Sequence, residues 1–164
     1  MSNSFKLVVC ITSTALFDCS ESHNIWKQQG LEAYKNHQRN HVMEPLKPGV
    51  GFRLVQSLLN LNYSTDKELV DVILVSRNDS QSGKRIRNSI SYHKLGITRM
   101  SFTSGTDVTT YLQAWGCDLF LTTEEKQVRT VLSANSPTTF NGIVAGLVCN
   151  IIAETTDLQS DNSL

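Results

Sequence analysis

Leu7-Val-Val-Cys-Ile11 runs directly into Thr12-Ser13-Thr14, and that abrupt change of chemistry decides the fold. Consecutive apolar residues with no polar alternation suit a strand covered on both faces, and the hydroxyls after them suit a turn at its end. The pattern recurs along the chain. Val70-Asp-Val-Ile-Leu-Val75 closes on Ser76-Arg77-Asn78-Asp79, and Asp118-Leu-Phe-Leu121 closes on Thr122-Thr123-Glu124-Glu125. A shorter run, Thr98–Phe102, closes on Thr103-Ser104-Gly105-Thr106-Asp107, and a last one covers Ile143–Val148.

Helical patterns lie between these runs. Gly51–Leu61 carries Phe52, Val55, Leu58 and Leu59 on one stripe. Ser82–His93 follows the capping residue Asp79 and carries Ile86 and Ile90 at i, i+4 spacing. Val108–Trp115 and Glu124–Leu132 read as two shorter helices, the latter opened by Thr122 or Thr123 ahead of Glu125 in the manner of a capping box. Strands alternating with helices predict an α/β fold: a three-layer, Rossmann-like parallel sheet with helices on both faces.

One connection breaks the rhythm. About 38 residues separate the first strand from the helix at Gly51, too many for an ordinary loop. Glu21–His41 reads as helix with an interruption at Gly30, and Pro45 and Pro48-Gly49 then impose an extended or turning path. Residues 18–49 are therefore expected to form a small helical cap inserted after the first strand. It would stand above the carboxyl ends of the strands, where open α/β sheets bind ligands. A single domain over residues 1–154 is expected, with polar residues 155–164 as a flexible tail.

Composition narrows the function. The chain has 164 residues, 40% of them apolar, and its 15 basic and 15 acidic residues cancel. No overall field attracts DNA or RNA, so nucleic acid is not an expected partner. No apolar run approaches the roughly 20 residues of a membrane span, and no cleavage site follows the first apolar run. Cys10, Cys19, Cys117 and Cys149 lack C-x-x-C spacing and read as reduced thiols, which points to the cytoplasm.

The segments after the strands supply the candidate ligand contacts: Thr12, Ser13, Thr14, Ser76, Arg77, Asn78, Thr103, Ser104, Gly105 and Thr122. Hydroxyls and loop N–H groups hold phosphate oxygens well, and Arg77 adds charge. The same residue types also cap helices and turns without any ligand. Trp26 and Tyr34 in the cap could stack on a base or anchor the insert. His37 and His41 have a chelating spacing but no acidic partner of the H-E-x-x-H kind, so a solvated helix face explains them. No G-x-S-x-G nucleophile elbow occurs.

Ala15-Leu16-Phe17, Gly30-Leu31-Glu32-Ala33-Tyr34 and Glu44-Pro45-Leu46-Lys47-Pro48-Gly49, in this order and spacing, resemble the cytosolic 5′-nucleotidase I family, a branch of the haloacid dehalogenase superfamily. Val72-Ile-Leu-Val-Ser76-Arg77-Asn78, Asn88-Ser89-Ile90 and Asp118-Leu-Phe-Leu121 extend the likeness over roughly residues 5–150. Members are internally duplicated, and the chain is similar to their degenerate first half. The resemblance implies Mg²⁺-dependent dephosphorylation of nucleoside monophosphates, AMP above all. That chemistry takes an aspartate nucleophile after the first strand, a second aspartate two residues on, a Ser/Thr after the second strand, a lysine, and acids that hold the metal.

Aligned on Ala15-Leu16-Phe17, the two aspartate positions hold Ile11 and Ser13; a one-residue slip gives Thr12 and Thr14. Ser76 fits its position, no lysine lies in Thr103–Thr110, and Thr122-Thr123 replace the later acidic pair. Neither isoleucine nor a hydroxyl forms an acyl-phosphate. The expectation is a pseudoenzyme with no catalytic residues, metal or cofactor, which binds a nucleotide or nucleotide-derived signal to sequester or sense it. Two alternatives stand beside it: a residual Mg²⁺-dependent 5′-nucleotidase acting on AMP, and a regulatory module that forms a homodimer or docks on a full-length nucleotidase.

Overall fold

The computed structural model describes residues 5–134 and 142–149. Among the described residues, five parallel strands form one sheet: β1 (Leu7–Thr12), β2 (Val70–Ser76), β3 (Arg99–Phe102), β4 (Leu119–Thr122) and β5 (Val144–Leu147), in the order β3-β2-β1-β4-β5. Five α-helices accompany them: α1 (Ser13–Leu16), α2 (Ser20–Asn40), α3 (Phe52–Asn60), α4 (Lys84–Tyr92) and α5 (Glu125–Ala134). The unalternated apolar runs are the strands, and β2 is buried along its whole length. Its one charge, Asp71, pairs with Arg99 on the neighbouring β3 and lies 3.4 Å from Lys6 Nζ.

The sheet has two covered faces. Val9, Ile11, Val72 and Leu74 point to one, where they pack with Leu16, Phe17, Val55, Ile86 and Ile90. Cys10, Ile73, Val75 and Phe120 point to the other, against Val108, Leu112 and Val131. Burying each of these large side chains contributes about 1.5–3 kcal/mol, so the three layers follow from the period-two exposure of a doubly apolar strand.

The segment after β1 is pinned at both ends. Phe17 forms an isolated bridge with Pro48, Asp18 N–H donates to Lys47 O at 2.9 Å, and Gly49 N–H donates to Leu16 O at 2.9 Å. Gly49 has to be glycine, since a Cβ there would lie 2.7 Å from the Phe17 backbone. Between these ends stands α2, broken at Gly30, whose φ of 85° and ψ of −176° take it out of helical geometry.

Two expected elements differ in the structure. Val108–Trp115 is a 3₁₀ turn over Val108–Tyr111, with no α-helix: Asp107 accepts the Thr109 N–H at 3.0 Å, and the chain then turns through Gly116 at φ 65°. The helix expected from Ser82 starts at Lys84. Asp79 caps the turn before it, taking the N–H groups of Gln81 (3.1 Å) and Ser82 (2.8 Å). The expected tail, residues 155–164, lies outside the described residues. No helix among the described residues is long and apolar enough to cross a membrane.

Candidate ligand-binding site

From β1 the chain passes outward through β2 and β3, then returns to β4 on the other side of β1. The carboxyl ends of β1 and β4 therefore diverge at a topological switch point, the place where open α/β sheets receive ligands. A cavity of about 430 Å³ opens there. Thr12 lines it from the end of β1 and Ser13 and Thr14 from α1, Ser76 from the end of β2 with Arg77 and Asn78 just after it, Gly105 from the loop after β3, Glu124 from just before α5 and Gln127 from its first turn.

Hydroxyl contacts knit the floor. Thr12 Oγ1 lies 3.3 Å from Thr14 Oγ1, Ser13 Oγ lies 3.1 Å from Ser76 Oγ, and Thr14 Oγ1 lies 2.8 Å from Thr123 Oγ1. Ser76 Oγ also accepts the Asn78 N–H at 3.3 Å. Every floor group is neutral. Ile11 is absent from the cavity: it is fully buried in the sheet core. Thr12 and Thr14 are therefore the i, i+2 pair with side-by-side polar groups at the cavity.

α2 supplies the opposite wall. Cys19, Ser22, His23 and Trp26 recur at i, i+3, i+4, i+7, and beyond the Gly30 break Leu31, Tyr34 and Gln38 resume that face. Trp26 is 48% exposed and sits 5.6 Å from the His23 ring, so it is no buried anchor. Tyr34 does anchor: its OH donates to Asn78 Oδ1 at 2.7 Å and accepts from Gln38 Nε2 at 3.0 Å, tying α2 to the end of β2. Burial raises the Tyr34 pKa and pushes the Cys19 thiol up to about 11, so both stay protonated at neutral pH.

Three expected contact residues do not line the cavity. Thr103 Oγ1 donates to Thr106 O at 2.5 Å, which closes its own turn. Ser104 takes a φ of 52° and gives its N–H to Asn78 O at 3.1 Å. Thr122 is fully buried, where its hydroxyl donates to Gln127 Oε1 at 2.7 Å and accepts the Glu124 N–H at 3.1 Å. All three hold the loops that carry the wall. Sequence reasoning missed Glu124, Gln127 and most of the α2 face; only the latter had a local signal, its helical spacing.

Charge is confined to the rim. Arg77 Nη2 donates to Glu124 Oε2 at 3.0 Å and lies 3.6 Å from Asp107 Oδ2. Burial alone would raise the Asp107 pKa, but hydrogen bonds from Thr109 and the Arg77 charge outweigh it and hold the carboxyl below its ordinary value. The His37 and His41 rings lie 4.2 Å apart in a tilted arrangement, with His41 Nδ1 2.8 Å from His37 O; His37 Nε2 lies 3.4 Å from Arg85 Nη1, and neither ring lines the cavity. No group of three or more His, Cys, Asp or Glu side chains that could hold a metal ion occurs among the described residues.

Comparison with known proteins agrees with this architecture. The 5′-nucleotidase family model matches residues 1–151. Human cytosolic 5′-nucleotidase 1B is 31% identical over 144 residues, which is 83% of this chain and 24% of that protein. The chain thus spans about a quarter of the length of that relative. No solved structure matches it.

Proposed function

This chain belongs to the 5′-nucleotidase family, and from that premise we propose that it binds a nucleotide without hydrolysing it, to sequester or sense it in the cytosol. The observation that carries this is the neutral floor. Where the family's chemistry takes two aspartates, two residues apart, the side chains side by side at the cavity are Thr12 and Thr14. A hydroxyl attacking phosphate would leave a phosphoester, which lacks the activated leaving group of an acyl-phosphate. Serine and threonine hydroxyls, neutral at working pH, also spare a bound phosphate the repulsion of two carboxylates.

The Mg²⁺ that the resemblance implies does not fit these residues. Hard cations of this size take several oxygen ligands, with carboxylates among them. The floor offers only hydroxyls, and the two carboxylates at the rim, Glu124 and Asp107, are already engaged by a guanidinium. Residues 18–49 serve as the cap in this proposal, with Trp26 free to stack on a base at the cavity mouth.

Two assays on one protein preparation test the proposal: thermal melting with a panel of mono-, di- and cyclic nucleotides, and phosphate release from AMP with Mg²⁺. At least one nucleotide should stabilise the fold, by about 2.7 kcal/mol at one hundred times its Kd, and no phosphate should appear. No stabilisation by any nucleotide at millimolar concentration contradicts the proposal. So does Mg²⁺-dependent release that is lost when Thr12 and Thr14 are replaced by valine.

A further inference from the structure

The three charged groups at the rim form a closed unit drawn from three strand ends. Arg77 follows the last residue of β2, Asp107 caps the 3₁₀ turn after β3, and Glu124 stands between β4 and α5. Both carboxylates converge on one nitrogen, Nη2, at 3.0 Å and 3.6 Å. Asp107 is itself fixed by the Thr109 N–H at 3.0 Å and by Gln127 Nε2 at 3.4 Å. No protein hydrogen bond among the described residues uses Arg77 Nε or Nη1, and Arg77 lines the cavity.

A guanidinium is a planar fork of five donors, suited to two oxygens of one phosphate or carboxylate. Anchoring one corner fixes the plane and leaves the other donors preoriented, which lowers the entropy lost on binding. These ion pairs are half-exposed, and pairs of that kind are individually weak, so they tether Nη2 and leave the guanidinium open to a further anion at its other nitrogens. The rim therefore holds a cation at the mouth of a cavity whose floor has none.

We propose, on the nucleotide reading above, that Arg77 is the tethered cation of this cleft and takes the place of a divalent metal ion. It receives one phosphate oxygen of the nucleotide through Nη1, and Glu124 and Asp107, which hold Nη2, are its positioning residues. Phosphate binding then needs no metal, and its strength resides in this one side chain, while the nucleoside end is held elsewhere.

The test measures binding of nucleoside monophosphates and of the matching nucleosides, in EDTA and in Mg²⁺, to the wild-type chain and to Arg77→Met and Arg77→Lys. Wild-type affinity for the monophosphate should be the same in EDTA and in Mg²⁺. R77M should weaken it about tenfold or more, the cost of one charge-assisted hydrogen-bonded contact, while nucleoside affinity stays within about twofold. R77K should recover part of the loss. Unchanged nucleoside binding also shows that R77M is folded. Monophosphate binding that appears only with Mg²⁺, or that R77M leaves intact, overturns the role of Arg77 and leaves nucleotide binding standing. Absence of binding by every monophosphate and nucleoside overturns the role of Arg77, and failure of the di- and cyclic nucleotides as well overturns both.

Discussion

At the floor of the cavity, Thr12, Ser13 and Thr14 meet their neighbours through hydroxyl contacts of 2.8–3.3 Å. At the rim, Arg77, Glu124 and Asp107 meet through charge. The floor continues a buried strand: Thr12 and Ser13 are themselves buried, so a charge there would be costly. The rim residues are half-exposed, and water shares the cost of their charges. The contrast teaches that this cleft keeps its electrostatics at the edge, away from the place where the family's nucleophile would sit.

The sharpest way to break that contrast is to force a carboxylate into β1. Ile11 is fully buried and packs beside Gly51 and Ala15. Ile11→Asp removes a core side chain and buries an unpaired charge, so urea denaturation should show a loss of about 4 kcal/mol or more. A melting temperature near wild type would mean that position 11 faces solvent. Thr14→Asp is the complementary change, since Thr14 is exposed. Stability should change by no more than about 1 kcal/mol, while a titration should show monophosphate affinity down about tenfold from like-charge repulsion.

Smaller effects sharpen the picture of the wall. Tyr34→Phe removes the bridge from Gln38 to Asn78 and should cost about 1–2 kcal/mol in chemical denaturation. His37 probes the same joint through pH. Burial, then the nearby His41 and Arg85, hold its pKa below the ordinary value. The unfolded chain therefore takes up this proton at higher pH than the folded one. The contribution of His37 is complete above about pH 6.5 and fades as pH falls toward the folded value. His37→Gln should flatten the stability profile between about pH 7 and pH 5.

Much of the fold was legible because its strands are apolar on both faces: Leu7–Ile11 and Val70–Val75 declare themselves without reference to partners. The pinned insert was legible from its length and from the glycine and prolines at its return. Val108–Trp115 misled because its apolar positions, Val108 and Leu112, serve the core from a 3₁₀ turn as well as from a helix. At the site, Thr12, Ser13, Thr14 and Ser76 could be read from strand ends alone. The rim unit could not, since residues 77, 107 and 124 are brought together by the sheet order and share no local spacing. Thr122 stays off the cavity lining for a related reason: its hydroxyl is used inside the α5 cap, and a strand-end threonine used that way looks the same in sequence as one facing a cavity.

A ³¹P NMR titration of AMP with the purified chain, first in EDTA and then with excess Mg²⁺, reports binding, metal dependence and hydrolysis in one sample. The AMP resonance should shift or broaden in EDTA, change on adding Mg²⁺ by no more than that of AMP without protein, and give no inorganic phosphate over hours. A resonance that responds only once Mg²⁺ is present, or a growing phosphate signal, would contradict the account at its centre.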